Sequence, residues 1–319
     1  MSKIYKCLFF YTFEYFLSSF LHTEELKHRK ILFLIMKTAV ITTGGLGTRL
    51  LTTTKENPKT MLPLYDKSYD GGDPMLRPLI ELIFNNLYNC GFRKFCIIVG
   101  SKTKPSILHH MSIDESFIDL LKKRNSFYDK RFIKTLSTLY KKINNCEIHW
   151  IEQPTPMGFG HALLSAKKFV DDDFLLHAGD TYFPNYDFIP QLIKLSKKTQ
   201  NSSCGLLLQS KKYLKGYGIA EIQKKKNMNI VFNVEEKPKL PKSNLVILPV
   251  YTFKPNIFDA LKRTKIGHNN ELQVTDAIKT LISSNEKVIA LKMTKPWFDI
   301  GTPHNYFKAF SYSYKQNKI

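Results

Sequence analysis

Strand-like and helix-like segments alternate along this 319-residue chain from Met36 onwards. The segments TAVITT, KFCIIVG, EIHWIEQ and FLLHAGD are short and rich in β-branched, aromatic or other apolar residues, which predicts strands. Between the first two, apolar residues recur at helical spacing from Leu76 to Cys90, and Gly91 marks the end of that helix. Strands that alternate with helices predict an α/β fold with a mostly parallel sheet and helices on both faces.

The pattern changes along the chain. Residues 106–142, in the first half, are mostly helical and strongly charged, whereas in the second half CGLLLQS, YGIAEIQ, IVFNVEE and LVILPVYTF predict strands with little helix between them. Helices are predicted again at about 256–263, 273–284 and 303–315, and KVIALKM predicts a late strand. The sequence has no internal repeat or low-complexity tract, so a single domain over residues 36–319 is expected.

The segment before Met36 differs from the rest of the chain. KCLFFYTFEYFLSSFLH is aromatic and apolar, but Glu14 interrupts it and the uninterrupted pieces are too short to span a bilayer. No small-residue cleavage site follows it, and MKTAVITTGG then resembles the start of an α/β domain. We therefore expect residues 1–35 to be an N-terminal extension outside the fold, with a helix at a membrane surface as the alternative.

The net charge and the cysteine content limit the kinds of partner and the compartment that fit this chain. A formal net charge of +21 fits nucleic-acid binding, a membrane surface or anionic small substrates. The lysines are scattered and form no stripe with aromatic residues, which argues against nucleic acid as the main partner. The five cysteines form no CxxC or metal-type pair, which fits a reducing compartment and favours a cytoplasmic protein. The short apolar pieces of the N-terminal segment predict no stable membrane insertion.

A glycine-rich turn, GGLGTR, follows the first predicted strand. Glycines at such a position let backbone N–H groups approach phosphate oxygens. The turn lacks the GK[ST] ending of a P-loop and the third glycine of a dinucleotide fingerprint. Arg49 in the turn and Lys59 after it add two cations, which suit a polyphosphate leaving group.

The whole string GGLGTRL…NPKTMLPLYDK resembles the opening of the sugar-1-phosphate nucleotidyltransferases. Further motifs follow in the order of that family: EQPTPMGFGHALLSA, HAGD, GYGIAEI, VEEKP, NELQVTDAI and WFDIGTP. The resemblance covers about residues 36–310 and implies a Rossmann-like mixed, mostly parallel sheet flanked by helices, the nucleotide-diphospho-sugar transferase fold. It also implies a nucleotidyltransferase that acts with Mg²⁺ and forms a homo-oligomer, either a dimer or a tetramer.

One branch of the family fits best. The helical insert at about 102–145, which begins SKTKPSILHHMSIDESF, resembles the insert of bacterial-type UTP–glucose-1-phosphate uridylyltransferases, and the shorter thymidylyltransferases lack it. The resemblance implies that UTP and glucose 1-phosphate give UDP-glucose and pyrophosphate. The alternatives are a glucose-1-phosphate thymidylyltransferase, an enzyme for another hexose 1-phosphate, and a non-catalytic regulatory protein that binds nucleotide sugars.

The resemblance also implies roles for individual residues. The catalytic set would be three cations that hold phosphates and one aspartate that holds the metal: Arg49, Lys59, Lys237 and Asp180. The nucleotide-binding set would hold phosphates and read the base: Gly44, Gly45, Gly47, Gln153 and Gly158. The sugar-phosphate set would be Gly218, Glu236, Lys237 and Glu271, and the Mg²⁺ ligands would be Asp180 and Asp299. We interpret the remaining residues of interest as structural, namely His161, His177 and Trp297.

Overall fold

The computed structural model describes residues 36–67 and 73–317, so the extension expected at 1–35 lies outside the described residues. The strands are β1 (Thr38–Thr42), β2 (Pro63–Asp66), β3 (Met75–Pro78), β4 (Lys94–Gly100), β5 (Glu147–Gln153), β6 (Phe174–Ala178), β7 (Thr181–Tyr182), β8 (Ser202–Leu208), β9 (Ile219–Lys225), β10 (Met228–Glu235), β11 (Leu245–Phe253), β12 (Val288–Met293) and β13 (Phe298–Asp299). The α-helices are α1 (Thr53–Glu56), α2 (Leu79–Asn89), α3 (Lys104–Met111), α4 (Glu115–Arg124), α5 (Phe127–Asn144), α6 (Phe159–Ser165), α7 (Phe188–Thr199), α8 (Ile257–Arg263), α9 (Val274–Ser283) and α10 (Pro303–Asn317).

A nine-stranded sheet organises the part of the chain that the structure describes, in the order β5-β4-β1-β6-β11-β8-β12-β10-β9. The pairs β5–β4, β4–β1, β1–β6 and β8–β12 are parallel, while β10 and β11 run against the other strands. The predicted α/β fold with a mixed, mostly parallel sheet is therefore confirmed.

Strand β1 lies inside the sheet because its sequence is apolar without alternation. Ala39, Val40 and Ile41 are fully buried, which is the pattern of a strand covered by helices on both faces. On its two sides, Val40 pairs in register with Cys96 of β4 and with Leu176 of β6. The carboxyl ends of β1 and β6 therefore lie side by side, where ligands bind in open α/β sheets.

Helix α2 begins later than the periodicity indicates. Leu76 has helical spacing to the residues of α2, but it lies in β3, pairs with Tyr65 and is 51% exposed. Pro78 precedes the helix, and a proline disfavours helical backbone in the residue before it. The helix therefore begins at Leu79, and the periodicity-based start was wrong by three residues.

The charged stretch predicted as helical at 106–142 contains α3, α4 and α5, which lie between β4 and β5. Helix α5 begins with a capping box, because Ser126 accepts from the Asp129 N–H and Asp129 accepts from the Ser126 N–H. Lys142 of α5 donates to Asn85 and to Asn89 of α2, so these hydrogen bonds connect the helical insert to helix α2. Within the described ranges, no helix has both the length and the apolarity needed to cross a membrane.

Candidate active site

A cavity of about 850 Å³ opens at the carboxyl ends of the parallel strands. Every residue that the sequence analysis assigned to a site lines this cavity: Gly44, Gly45, Gly47, Arg49, Lys59, Gln153, Gly158, Asp180, Gly218, Glu236, Lys237, Glu271 and Asp299. They come from both halves of the chain, so the fold brings together motifs that are far apart in sequence. The cavity is large enough for a drug-sized ligand.

The glycine turn lies directly against two other parts of the cavity wall. Gly47 has a φ of 67°, and a Cβ there would lie 2.8 Å from Cγ of Lys59. A Cβ on Gly44 would lie 3.1 Å from Oε1 of Gln153. The hydroxyl of Thr54, at the start of α1, donates to the carbonyl of Gly47 at 2.8 Å and fixes the turn. Glycine is therefore required at 47, and the turn presents backbone to the cavity.

Two cations and two carboxylates meet at one end of the cavity. The ammonium of Lys59 forms an ion pair with Oδ2 of Asp180. Arg49 and Asp299 both approach Gly301. A Cβ added to this glycine would lie 2.6 Å from Nη2 of Arg49 and 2.8 Å from Oδ1 of Asp299, so the two side chains are neighbours. The Gly301 N–H donates to Oδ1 of Asp299 at 2.8 Å. The four side chains balance in formal charge, which suits binding of an anion together with a cation.

Asp180 and Asp299 belong to two backbone segments that hydrogen-bond to each other. Strand β13 pairs with β7 so that Asp299 faces Thr181, and the Ile300 N–H donates to the carbonyl of Asp180 at 3.0 Å. Burial and then the charge of Asp180 raise the pKa of Asp299. Burial alone would also raise the pKa of Asp180, but the ion pair with Lys59 and the charge of Arg49 bring it below its ordinary value.

A second pair of charged side chains lines the cavity just after the end of β10. The Lys237 ammonium lies 3.2 Å from Oε1 of Glu236, and the Lys237 backbone has a φ of 44°. The Lys237 N–H donates to the carbonyl of Tyr217 at 3.2 Å, which holds this turn against the Gly218 segment. A Cβ on Gly218 would lie 3.2 Å from Oε2 of Glu236, so the glycine keeps room beside that carboxylate.

Two loops that form one wall of the cavity are joined through their backbones. The Leu272 N–H donates to the carbonyl of Met157 at 2.9 Å, and the Gly160 N–H donates to the carbonyl of Leu272 at 2.7 Å. Gly158 has a φ of 103°, and a Cβ there would lie 2.6 Å from the Leu272 carbonyl oxygen. The joined loops carry Gly158 and Glu271 side by side.

The sequence analysis missed several residues of the cavity. The Gln273 amide donates to Oε2 of Glu271 at 2.6 Å, and Gln273 lies in the same NELQVTDAI motif, two positions beyond that glutamate. Tyr217 and Trp297 also line the cavity, with ring centroids 5.2 Å apart in an edge-to-face arrangement. Trp297 therefore packs against an aromatic neighbour and, beyond the structural role expected of it, contributes to the cavity wall. No sequence signal pairs it with Tyr217, which is remote in the chain.

The two histidines interpreted as structural have defined hydrogen bonds. His177 is fully buried in β6, where Nδ1 donates to the carbonyl of Ala178 at 2.8 Å and Nε2 accepts from the hydroxyl of Tyr186 at 3.0 Å. Burial lowers the pKa of His177 to about 4, so it is neutral near pH 7. His161 lies 2.7 Å from Gln153, measured between Nδ1 and the amide nitrogen.

Comparisons with known proteins give related sequences and a related fold. The sequence profile of the family described as Nucleotidyl transferase matches residues 38–316. A protein of Mycoplasma genitalium described as UTP–glucose-1-phosphate uridylyltransferase is 32% identical over 290 residues, which is 89% of this chain and 93% of that protein. A Bacillus subtilis protein with the same description is 32% identical over 273 residues, 83% of this chain and 87% of its own length.

The fold is shared with a solved structure of a UTP-bound UGPase from Acinetobacter baumannii. The TM-score is 0.75 at 24% identity, over 89% of this chain and 95% of the other. At this identity the likeness concerns the fold, including the sheet whose strand ends surround the cavity.

Proposed function

Because this chain belongs to the nucleotidyl transferase family, we propose that it transfers the uridylyl group of UTP to glucose 1-phosphate and releases pyrophosphate. The product is UDP-glucose. The activity for which the relatives are described supports uridylyl transfer, and so does the presence of the helices at 104–144. The observation that carries the proposal is the single cavity that holds the glycine turn, the cluster of Arg49, Lys59 and two aspartates, and the Glu236–Lys237 pair.

The nucleotide would occupy the side of the cavity formed by the glycine turn. Backbone N–H groups of Gly44, Gly45 and Gly47 would donate to phosphate oxygens. Gln153 would read the uracil edge, because an amide presents a donor and an acceptor together. Gly158 would let the backbone approach the base.

Arg49 and Lys59 would hold the β- and γ-phosphates. Both line the cavity, and the ammonium of Lys59 is held at its wall by Asp180. Negative charge develops on the leaving pyrophosphate as the bond to the α-phosphorus breaks. Cations fixed beside that group stabilise the transition state more than the ground state, which accelerates the reaction.

Glucose 1-phosphate would bind across the cavity. Lys237 would grip its phosphate, while Gly218, Glu236 and Glu271 would contact sugar hydroxyls. A phosphate oxygen of the sugar phosphate would attack the α-phosphorus in line, so that one P–O bond forms as the bond to pyrophosphate breaks. This chemistry depends on positioning and charge neutralisation, and no covalent intermediate is needed.

Mg²⁺ is part of the proposal, with Asp180 and Asp299 as the residues that would hold it. Across residues 36–67 and 73–317, no group of three or more His, Cys, Asp or Glu side chains could hold a metal ion. Two carboxylates nevertheless fit Mg²⁺, which usually takes one or two carboxylates and completes its shell with water and substrate phosphates. The raised pKa of Asp299 supports this assignment, because the repulsion from Asp180 that contributes to it is relieved by a cation. When bound, the ion neutralises phosphate charge and polarises the α-phosphoryl group.

Two kinds of alternative remain. Within the family, the cavity would also suit thymidylyl transfer or another hexose 1-phosphate, since the assigned contacts leave the choice of sugar open. In a different class, the chain would bind nucleotide sugars without turnover and act as a regulator. The presence of both cations and both aspartates in one cavity favours the enzyme.

The deciding experiment tests the purified protein with each nucleoside triphosphate and each hexose 1-phosphate in the presence of Mg²⁺. Pyrophosphate release is measured, and the nucleotide sugar formed is identified by mass spectrometry. We expect UTP with glucose 1-phosphate to give the highest kcat/KM. Higher kcat/KM with dTTP would favour the thymidylyltransferase, and tight binding of UDP-glucose without pyrophosphate release from any pair would favour the regulator.

Two further predictions concern the whole protein in solution. We expect a homo-oligomer, either a dimer or a tetramer, which light scattering after size-exclusion chromatography will measure. We also expect a cytoplasmic location, because an odd number of cysteines without close spacing suits a reducing compartment, and fractionation of cells that produce the protein tests it.

A further inference from the structure

Gln273 donates a hydrogen bond to the carboxylate that is assigned to the sugar. Its amide nitrogen lies 2.6 Å from Oε2 of Glu271. An ionised carboxylate only accepts hydrogen bonds, and of the two polar atoms of an amide only the nitrogen donates. The direction of this hydrogen bond is therefore set by the two groups themselves. Because the acceptor is charged, the bond is stronger than one between two neutral groups.

The Gln273 side chain is the more buried partner of this pair. It is only 6% exposed and lies immediately before α9, where its backbone carbonyl accepts from the Ala277 N–H at 3.2 Å. A Cβ on Gly160 of α6 would lie 3.0 Å from the carbonyl carbon of Gln273, so the backbone is packed closely here. Glu271 is half-buried and lies in the loop before α9. Gln273 is therefore the anchor, and the glutamate is the group that it holds.

The hydrogen bond lies where a ligand would meet Glu271. Both side chains line the cavity, and a Cβ on Gly158 would lie 2.8 Å from Cβ of Glu271, which confines the stem of the glutamate. Among the residues that the structure describes, no other group hydrogen-bonds with this carboxylate. With Oε2 bound to Gln273, Oε1 remains to accept from a ligand.

A carboxylate that is held in place before the ligand arrives binds a hydroxyl more tightly than a mobile one. A glutamate side chain has several rotatable bonds, and fixing them on binding subtracts from the affinity. A hydrogen bond to one oxygen restricts these rotations in the free protein and directs the other oxygen. The partner must donate and be anchored, and Gln273 meets both conditions.

We infer that Gln273 is a positioning residue for sugar recognition, which holds the Glu271 carboxylate so that Oε1 accepts from one hydroxyl of the hexose 1-phosphate. The inference rests on the proposed function, because it requires that Glu271 meets the sugar. It adds a second residue to the selection of the sugar, one that acts through the glutamate.

The first test removes the donor and keeps the length of the side chain. We expect Gln273→Met to lower kcat/KM for glucose 1-phosphate by roughly tenfold at saturating UTP, the size of one hydrogen bond to a charged group. The KM for UTP should stay within about twofold of the wild type. Unchanged kcat/KM for glucose 1-phosphate would overturn the inference.

Deoxy sugars separate positioning from a purely structural role. The 2-, 3-, 4- and 6-deoxy analogues of glucose 1-phosphate each lack one hydroxyl. The analogue that lacks the hydroxyl bound by Glu271 should give the same kcat/KM with the wild type and with Gln273→Met, because the positioned oxygen then has no partner. The other three should keep the roughly tenfold difference. Equal losses with all four analogues would show a structural role and overturn the inference.

The second test restores the donor with protons. In Gln273→Glu the introduced carboxyl group lies against the Glu271 carboxylate, and two such groups hold one proton between them up to a higher pH than either would alone. With that proton the introduced group donates as the amide does, whereas without it the two carboxylates repel each other. The kcat/KM for glucose 1-phosphate, relative to the wild type at the same pH, should therefore rise by about fivefold or more from pH 8 to pH 5.5.

Gln191→Glu is the matched control for this pH profile. Gln191 is exposed in α7 and donates to the backbone carbonyl of Asp187 at 3.2 Å. Its kcat/KM relative to the wild type should be constant over the same range. A constant ratio for Gln273→Glu as well would overturn the inference.

A wild-type protein that releases no pyrophosphate from any pair of substrates would contradict the proposed function instead. Calorimetry with UDP-glucose then tests the positioning without turnover. Binding to Gln273→Met that is about tenfold weaker than to the wild type would support the inference, and equal affinities would overturn it.

Discussion

Lys59 is a cation whose side chain is only 12% exposed and whose ammonium pairs with Asp180 at the cavity wall. Replacement by alanine removes positive charge from the place where pyrophosphate would leave. We expect Lys59→Ala to lower kcat on the order of a hundredfold or more, with a smaller effect on the KM for glucose 1-phosphate. Steady-state kinetics measure both constants.

Lys55 provides the matched control for Lys59. It is close in sequence, but its side chain is 75% exposed and outside the cavity lining. Lys55→Ala should keep near-normal kinetics. A Lys59→Ala enzyme with near-normal kcat would show that the leaving group is held elsewhere.

The two cavity aspartates predict a requirement for a divalent cation. Asp180→Asn and Asp299→Asn keep the size of each side chain and remove its charge, so each should nearly abolish turnover while circular dichroism stays that of the wild type. Excess chelator should abolish the activity of the wild type, and added Mg²⁺ should restore it. Asp187→Asn, at an exposed carboxylate paired with Lys295, should leave turnover unchanged. Full activity in chelator would exclude the metal assignment.

His177 should make the protein sensitive to mild acid. The pKa of about 4 in the folded chain lies below the ordinary value of 6.5, so the unfolded chain takes up this proton first as the pH falls. The free energy of unfolding therefore decreases between pH 6.5 and pH 4 by up to roughly 3 kcal/mol.

The variant His177→Gln lacks this titration. At pH 7.5 it should be less stable than the wild type, because the bonds to Ala178 and Tyr186 are disturbed, and the difference should shrink towards pH 4. Urea unfolding at several pH values measures this difference in the free energy of unfolding. His109→Gln, at an exposed position, should track the wild type. A constant difference for His177→Gln would contradict a neutral buried imidazole.

At the scale of residues, the sequence predicts which side chains line the cavity, because GGLGTR, PKTMLP and VEEKP each have a recognisable spacing. The sequence does not predict their pairing. The ion pair of Lys59 with Asp180 and the bond of Gln153 to His161 depend on where different strand ends meet, which only the folded sheet defines. His161 follows a glycine in an apolar stretch, and nothing in that pattern distinguishes a hydrogen-bond partner of an amide from a packing residue.

Among the elements, the two joined loops of the cavity wall can be tested at Gly158. A methyl group there would lie 2.6 Å from the Leu272 carbonyl oxygen, and the φ of 103° disfavours any L side chain. Gly158→Ala should therefore separate the loops and raise the KM for UTP and for glucose 1-phosphate together, each by about tenfold or more.

Gly216→Ala is the control for this loop prediction. Gly216 also lines the cavity, but a Cβ there would have no neighbour within 4 Å. Its two KM values should stay close to those of the wild type. If Gly158→Ala changed the KM for only one of the two substrates, the loops would act independently.

Strands were easier to predict than the starts of helices. The strands β1, β4 and β6 are near-continuous apolar runs bounded by polar or glycine residues, so their positions followed from composition. The start of α2 could not be predicted in this way. The apolar periodicity includes Leu76, but Pro78 disfavours helical backbone before it and so sets the start of the helix at Leu79. The antiparallel placement of β11 between β6 and β8 also had no sequence signal, since it depends on pairing between distant strands.

For the whole molecule, we predict that residues 1–35 are dispensable. Among the described residues, those between 36 and 317 supply nine paired strands and the cavity lining, and the family profile matches 38–316. A chain that begins at Met36 should fold, with the Tm and the kcat/KM of the full chain. Failure of this shorter chain to fold, or a large loss of activity, would show that the extension belongs to the domain.

The pair of backbone hydrogen bonds at Leu272 constrains how the preferences of this enzyme can diverge during evolution. The loop assigned to the base and the loop assigned to the sugar share these bonds, so an insertion or a bulky replacement in one loop displaces the other. We therefore expect base preference and sugar preference to change together in evolution, through coordinated replacement of both loops.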